Sequence, residues 1–227
     1  MTEHAPPSTQ DLIRWSESLS SIARTGLGFT ENLYERERFE EVLAIAADIK
    51  VASGEAFDTD SVVYEWLKTV GDGVGGYVTP KVAVGAVVGD DEGRILLIQR
   101  ADSGIWLYPT GWADVGYSAS EVAVKEVWEE TGIECEVIRP IGIFDGLRLG
   151  FTRIPLYSLI FLCRATGGEL EAHPLETRDV GFFAEDGLPS PMPGAELWKD
   201  HAFAAINGDD TPVIFDRPRR HPWRIDD

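Results

Sequence analysis

Basic residues are scarce in this chain: 20 Lys and Arg stand against 39 Asp and Glu, for a formal net charge of −19. A surface this negative repels polyanions, which excludes non-specific binding to DNA or RNA. It also repels a phosphorylated ligand, unless a bound cation reverses the field locally. Solubility and adaptation to salt are the other readings of the same charge. Cysteine is nearly missing. Cys135 and Cys163 sit inside apolar segments, with no CxxC pair and no Cys/His cluster, so a structural zinc is excluded and buried reduced thiols are expected. No apolar run is long enough to span a bilayer. The first residues, Met1 to Gln10, are polar, hold two prolines and lack the basic-then-apolar pattern of a secretion signal. The expectation is a cytoplasmic protein with neither nucleic acid nor membrane as partner.

The 227 residues suit one or two domains. Residues 11–50 read as a helical hairpin. Leu12, Trp15, Leu19 and Ile22/Ala23 recur at helical spacing, Gly26-Leu27-Gly28 breaks the pattern, and Tyr34, Phe39, Val42, Leu43, Ile45 and Ala46 give a second amphipathic segment. A short helix around Val62–Leu67 and a glycine-rich run from Gly71 to Gly76 follow. The boundary is placed there, giving an N-terminal helical domain (1–76) and a main domain with a C-terminal helix and tail (77–227). In the main domain, Val82–Val88 and Arg94–Gln99 are β-rich runs around the hairpin signal Gly89–Gly93. Ala119–Thr131 is a helix. Glu134–Phe144, Leu156–Ala165 and Val180–Phe183 are further strands, and a last helix runs from about Ala195 to Ile206. Strands and helices mix without a βαβ rhythm, so the fold class is α+β, a sandwich around a mixed sheet.

The informative segment runs from Gly111 to Ile133. Ser118 and Glu121 form a capping-box pair, and Gly132 supplies a left-handed stop. Val124, Val127, Trp128 and Thr131 give an apolar face. Glu126, Glu129 and Glu130 fall at i, i+3 and i+4, so their carboxylates share one side. They lie in the C-terminal half, where the macrodipole disfavours carboxylates by roughly 0.3–1 kcal/mol each. A helix shaped for stability alone avoids this; a hard divalent cation with a preference for oxygen ligands removes the penalty. A solvated acidic face is the competing reading.

The segment resembles the Nudix box, Gly-x5-Glu-x7-Arg-Glu-(aliphatic)-x-Glu-Glu-x-Gly-(aliphatic). Gly111, Glu126, Val127, Glu129, Glu130, Gly132 and Ile133 match in register. Tyr117 stands where the first glutamate is expected, and Lys125 replaces the arginine. Lysine keeps the charge and can steer Glu129 one turn away, but lacks arginine's planar fork. Pro109-Thr110-Gly111 stands in place of Pro-Gly-Gly. The stretches Ile22–Leu27, Tyr34–Phe39 and Trp112–Tyr117 look like those of a Nudix subgroup with a small N-terminal helical domain, acting on X-linked nucleoside diphosphates such as CDP-choline. In that subgroup the tyrosine at this position is typical.

The resemblance implies a Nudix-type α/β/α sandwich and a metal-dependent pyrophosphohydrolase, with Mg²⁺ or Mn²⁺ activating water for attack on a diphosphate. It implies Glu126 and Glu130 as principal ligands, Glu129 as sharing the site, and the Thr110 carbonyl as a further ligand. One of these glutamates serves as base, or a residue from a later loop does; Glu176 in His173–Arg178 is that candidate, with an ordinary surface charge as the alternative. Asp145, Arg148 and Arg100 are candidates for substrate contact, each also readable as a surface salt-bridge partner. Trp106, Tyr108 and Trp112 are core residues or base-stacking ones. The tail arginines Arg217, Arg219, Arg220 and Arg224 clamp the chain's own acidic face, or grip phosphates or the acidic surface of a partner subunit, and His221 is incidental. The apolar hairpin surface points to a homodimer. CDP-choline-like compounds and ADP-ribose are the expected substrate types. The competing functions are a hydrolase of oxidised nucleoside triphosphates and a non-catalytic Nudix module that senses a nucleotide sugar.

Overall fold

The computed structural model describes residues 6–56, 58–71 and 76–218. Arg219, Arg220, His221 and Arg224, and most of the glycine-rich run, lie outside the described residues. In chain order the elements are α1 (Thr9–Phe29), α2 (Leu33–Ala52), α3 (Thr59–Leu67), β1 (Lys81–Gly89), β2 (Ile95–Arg100), β3 (Trp106–Leu107), β4 (Thr110–Trp112) and α4 (Ala119–Thr131). They continue with β5 (Ile133–Asp145), α5 (Gly146–Leu149), β6 (Leu156–Gly168), β7 (Thr177–Phe183), α6 (Lys199–Ile206) and β8 (Ile214–Phe215). No helix among the described residues is long and apolar enough to cross a membrane.

The chain divides into two units. The first runs to Lys81 and also takes Gly146–Leu156; the second takes Val82–Asp145 and the chain from Tyr157 onward. The division therefore falls a few residues after the expected boundary at 76, and the segment between β5 and β6 joins the helical unit. Gln10 Nε2 donates to the Leu147 carbonyl, and Arg153 pairs with Glu55 at 2.6 Å. These contacts link residues far apart in sequence, which local patterning does not register.

In the helical unit α1 runs on through Gly26-Leu27-Gly28, where a break was expected, and ends at Phe29. A Cβ on Gly26 would lie 2.3 Å from Phe39 Cζ, so this glycine serves close packing of α1 on α2 and not a turn. The turn is Thr30–Asn32, and Asn32 caps α2 by accepting the Tyr34 N–H at 2.9 Å. The buried face of α1 is Ile13, Ser16, Glu17, Ser20, Ala23 and Leu27; of the expected stripe Ala23 is buried and Leu19 packs at the edge of the core, while the larger Trp15 and Ile22 stay outside. Its small residues let α2 approach: Ser16 Oγ donates to the Ala46 carbonyl at 2.7 Å, and Ala46 and Ala47 are fully buried. Trp15, Ile22 and Phe29, each separated by two helical turns, stay 44%, 61% and 56% exposed. Trp66 of α3 closes this core, with Lys50 and Arg24 over its ring at 5.3 and 5.9 Å.

In the second unit the strands follow the order β3-β2-β1-β6-β5-β8, with β4 on β1 and β7 on β2. β8 pairs with β5 in parallel, whereas the β1–β2, β1–β4, β2–β3, β2–β7 and β5–β6 pairs are antiparallel, so the sheet is mixed as expected. β1 is buried on both faces from Val84 to Gly89, which is why its sequence is continuously apolar. Val84, Ala86 and Val88 pack with Val122, Ala123 and Val127 of α4. On the opposite face, Gly85 leaves room for Tyr108 and Ile160, and Gly89 leaves room for Ile206 of α6. The result is helix on both faces of the sheet.

α4 has the caps its sequence announces: Ser118 and Glu121 complete the capping box, and Gly132 sits at φ 71°. A Cβ on Gly132 would meet the Glu169 carbonyl oxygen at 2.4 Å, so the helix end and the chain after β6 touch backbone to backbone. The buried face of α4 is Val122, Ala123, Val127, Glu130 and Thr131; Trp128, expected inside, is 60% exposed. The helix expected from Ala195 is split by Trp198 (φ −137°) into a tight turn, Ala195–Leu197, and α6. β7 begins three residues before the expected Val180, because its polar start is held by pairing with β2; of Thr177, Arg178 and Asp179 only Thr177 is buried.

Candidate metal centre

The three carboxylates expected to converge separate into two and one. Glu130 faces inward and is 4% exposed, and the Thr110 N–H donates to its Oε2 at 2.9 Å. Glu126 lies over β4 and is half-buried: a Cβ on Gly111 would fall 2.2 Å from its carboxyl carbon. The glycine thus leaves the space this carboxylate fills. Glu129 is exposed and accepts from Lys125 Nζ at 2.8 Å, and the same ammonium pairs with Asp114 at 3.2 Å. Lys125 does steer Glu129, as the resemblance suggested, and it also ties the loop before α4 to the helix. Among the described residues no three His, Cys, Asp or Glu side chains stand close enough to form a metal cluster by themselves.

Electrostatics marks the inner pair. Burial pushes the Glu130 carboxyl up to about 8, with the neighbouring Glu126 and Glu176 adding to the rise. The Thr110 N–H and Arg100 act the other way without cancelling it. Glu126 is raised as well, first by burial and then by Glu129, Glu176 and Asp114, against Lys125. A carboxylate buried beside other carboxylates is a site short of positive charge. A hard divalent ion fits this donor set. Mg²⁺ in particular is commonly held by one or two carboxylates and keeps several waters, so it does not need a closed side-chain cage.

Glu176 is brought to this pair by the chain between β6 and β7. The Glu171 N–H donates to the Thr131 carbonyl at 2.9 Å and the His173 N–H to the Glu130 carbonyl at 3.4 Å, which lays the segment across the end of α4. The Ala101 N–H then donates to the Glu176 carbonyl at 2.8 Å, and Thr177 stands opposite Arg100 at the start of β7. Arg100 faces Glu130 and Glu176 electrostatically, while its guanidinium holds Asp102 through two bonds of 2.6 and 3.0 Å. This ion pair is the salt-bridge alternative read from sequence for Arg100.

Asp145 ends β5, and its N–H donates to Asp216 Oδ2 at 2.6 Å. Arg148 belongs to α5 and so to the helical unit. Trp106 packs edge-on against Phe183, and Tyr108 edge-on against Trp198, both buried; Trp112 is exposed. Asp114, His173 and Thr177 were not singled out from sequence. A carboxylate in the loop before the helix was the available signal for the first; only nearness to Glu176 was available for the other two.

Comparison with known proteins shows the family. The NUDIX domain family matches residues 79–205, and the chain belongs to that family. Residues 10–57 match a second family, described as the UDP-X-like N-terminal oligomerisation domain. A Bacillus subtilis (strain 168) relative, provisionally named ADP-ribose pyrophosphatase YjhB, is 32% identical over 88% of this chain and 95% of its own length. Among solved structures, a UDP-X diphosphatase covers 92% of this chain and all of its own at 26% identity and TM-score 0.54. An ADP-ribose pyrophosphatase from Streptococcus suis 89-1591 covers 61% of this chain and all of its own at 34% identity and TM-score 0.53.

Proposed function

We propose that this Nudix-family hydrolase of phosphoanhydride bonds cleaves the diphosphate of a nucleoside diphosphate linked to a second group, ADP-ribose or a UDP- or CDP-conjugate. The reading is carried by the buried Glu130 carboxyl beside Glu126 and facing Glu176, a set of like charges that a cation would hold together. The relatives named for ADP-ribose and UDP-X substrates narrow the substrate class.

Glu126 and Glu130 are the ligands in this reading, with the Thr110 carbonyl beside them. A bound Mg²⁺ or Mn²⁺ would neutralise the diphosphate oxygens that repel a nucleophile and acidify the attacking water. Glu176, exposed at its turn, would serve as the base that accepts the attacking water's proton. Glu129, held by Lys125, supports the outer edge of the site. Arg100 keeps Asp102 and lends its charge to the phosphate side.

With Mg²⁺ or Mn²⁺, purified protein is expected to convert at least one of ADP-ribose, UDP-glucose and CDP-choline into a nucleoside monophosphate and a phosphorylated second group. EDTA should abolish the reaction, and nucleoside triphosphates should be poor substrates. Tight binding of a conjugate without hydrolysis would move the reading to a ligand sensor, and turnover indifferent to EDTA would end it.

The oligomerisation-domain match and the exposed Trp15, Ile22 and Phe29 stripe support a homodimer formed through α1. Ile22→Glu is expected to shift the particle mass from dimer to monomer in light scattering. An unchanged mass would remove α1 from the interface.

A further inference from the structure

The turn that carries Glu176 is built unusually. Its α-turn closes through one bond, the Thr177 N–H to the His173 carbonyl at 3.0 Å. Between these feet, Pro174, Leu175 and Glu176 are all exposed, with Leu175 at 81%, so apolar packing does not hold the crest. The feet are different. Thr177 is 5% exposed and, among the described residues, its Oγ1 has no hydrogen-bond partner; His173 Nδ1 is likewise buried and without one among them. His173 and Thr177 are the two ends of this one hydrogen-bonded turn. Two complementary polar atoms, a hydroxyl and an imidazole nitrogen, are therefore buried on one turn beside the candidate metal centre.

Leaving a buried polar atom unpaired costs about 1–3 kcal/mol, and a fold seldom keeps two on one turn without a use for them. Apolar residues at 173 and 177 would avoid that cost. Buried water making two or more bonds is the ordinary way such groups are satisfied.

We propose that His173 and Thr177 are positioning residues for the Glu176 carboxylate: Thr177 Oγ1 and His173 Nδ1 share one bridging water under the turn, and this tie fixes where Glu176 points. The inference rests on the reading that Glu176 takes the proton from the attacking water. The chain around the turn is already pinned at both ends, by His173 N–H on the Glu130 carbonyl and by Ala101 N–H on the Glu176 carbonyl. The side chains beneath it supply the remaining constraint. Groups one step removed from a metal site typically change activity by about 10–100-fold when removed.

The test is steady-state kinetics of the full chain with saturating Mn²⁺ and the best conjugate of the substrate panel. Thr177→Val, which keeps shape and deletes the hydroxyl, is expected to lower kcat about tenfold with KM within about twofold and no loss of melting temperature. Thr177→Ser should restore kcat to within about twofold. In a Glu176→Gln background, Thr177→Val should add nothing, because the carboxylate it orients is gone. Wild-type kcat in Thr177→Val, while Glu176→Gln is impaired, would overturn the inference and leave the Glu176 reading intact. An equal further loss in the Glu176→Gln background would also overturn it. Wild-type kcat in Glu176→Gln itself would overturn the Glu176 reading and the tie's purpose with it.

Discussion

Glu130→Gln is expected to abolish turnover, by at least about a hundredfold, while making the metal-free protein more stable at pH 8. Both effects come from one buried carboxyl. Burial, then Glu126 and Glu176, push it up to about 8. Between its ordinary value near 4.5 and about 8, the folded chain keeps a proton that the unfolded chain has released. The unfolded state then binds fewer protons, so stability falls as pH rises through that window. Above about pH 8 the loss is complete, and below about pH 4.5 it is absent. Glutamine carries no charge to bury and its amide oxygen still accepts the Thr110 N–H. In EDTA at pH 8 the variant should melt roughly 5 °C or more above wild type, which for a chain of this size is of the order of 2 kcal/mol. The gap should shrink toward pH 4.5. A variant that melts below wild type at pH 8 would contradict the electrostatic account.

The second large effect is expected from Gly111→Ala. The added methyl would stand 2.2 Å from Glu126 Cδ and from one carboxylate oxygen, so the carboxylate must swing away. The atoms it meets are the far end of a flexible side chain, and the backbone pairing of Gly111 with Val84 is untouched. Activity should therefore fall about a hundredfold at limiting metal, with the melting temperature changed by no more than about 2 °C. Kinetics across a Mn²⁺ titration, beside a melting curve, separates the two. Full activity would show that Glu126 can act from another position. A large drop in melting temperature would mean that the glycine is needed for the fold.

How much of this could be read from the chain depends on how local the cause is. The ends of α4 were legible because capping chemistry acts within a few residues, from Ser118 to Glu121 and at Gly132. The phase of the buried faces was less so. On α1 the small residues Ser16, Ser20 and Ala23 go inside because they admit α2, while the more hydrophobic Trp15 and Ile22 stay out. The i, i+3, i+4 spacing put Glu126, Glu129 and Glu130 on one side, yet it could not show Lys125 and Asp114 drawing Glu129 outward. Glu176 reaches the inner pair only through backbone bonds made some forty residues beyond α4's end, such as Glu171 to Thr131. The transfer of Gly146–Leu156 to the helical unit is of the same long-range kind.

Manganese binding, followed by titration calorimetry at pH 8 and again at pH 6.5, tests the cation site most directly. The account predicts saturable binding by wild type, weakened in Gly111→Ala and lost in Glu130→Gln. More protons should be released per metal bound at the lower pH, where Glu130 still holds its own. Identical isotherms for wild type and Glu130→Gln would contradict it.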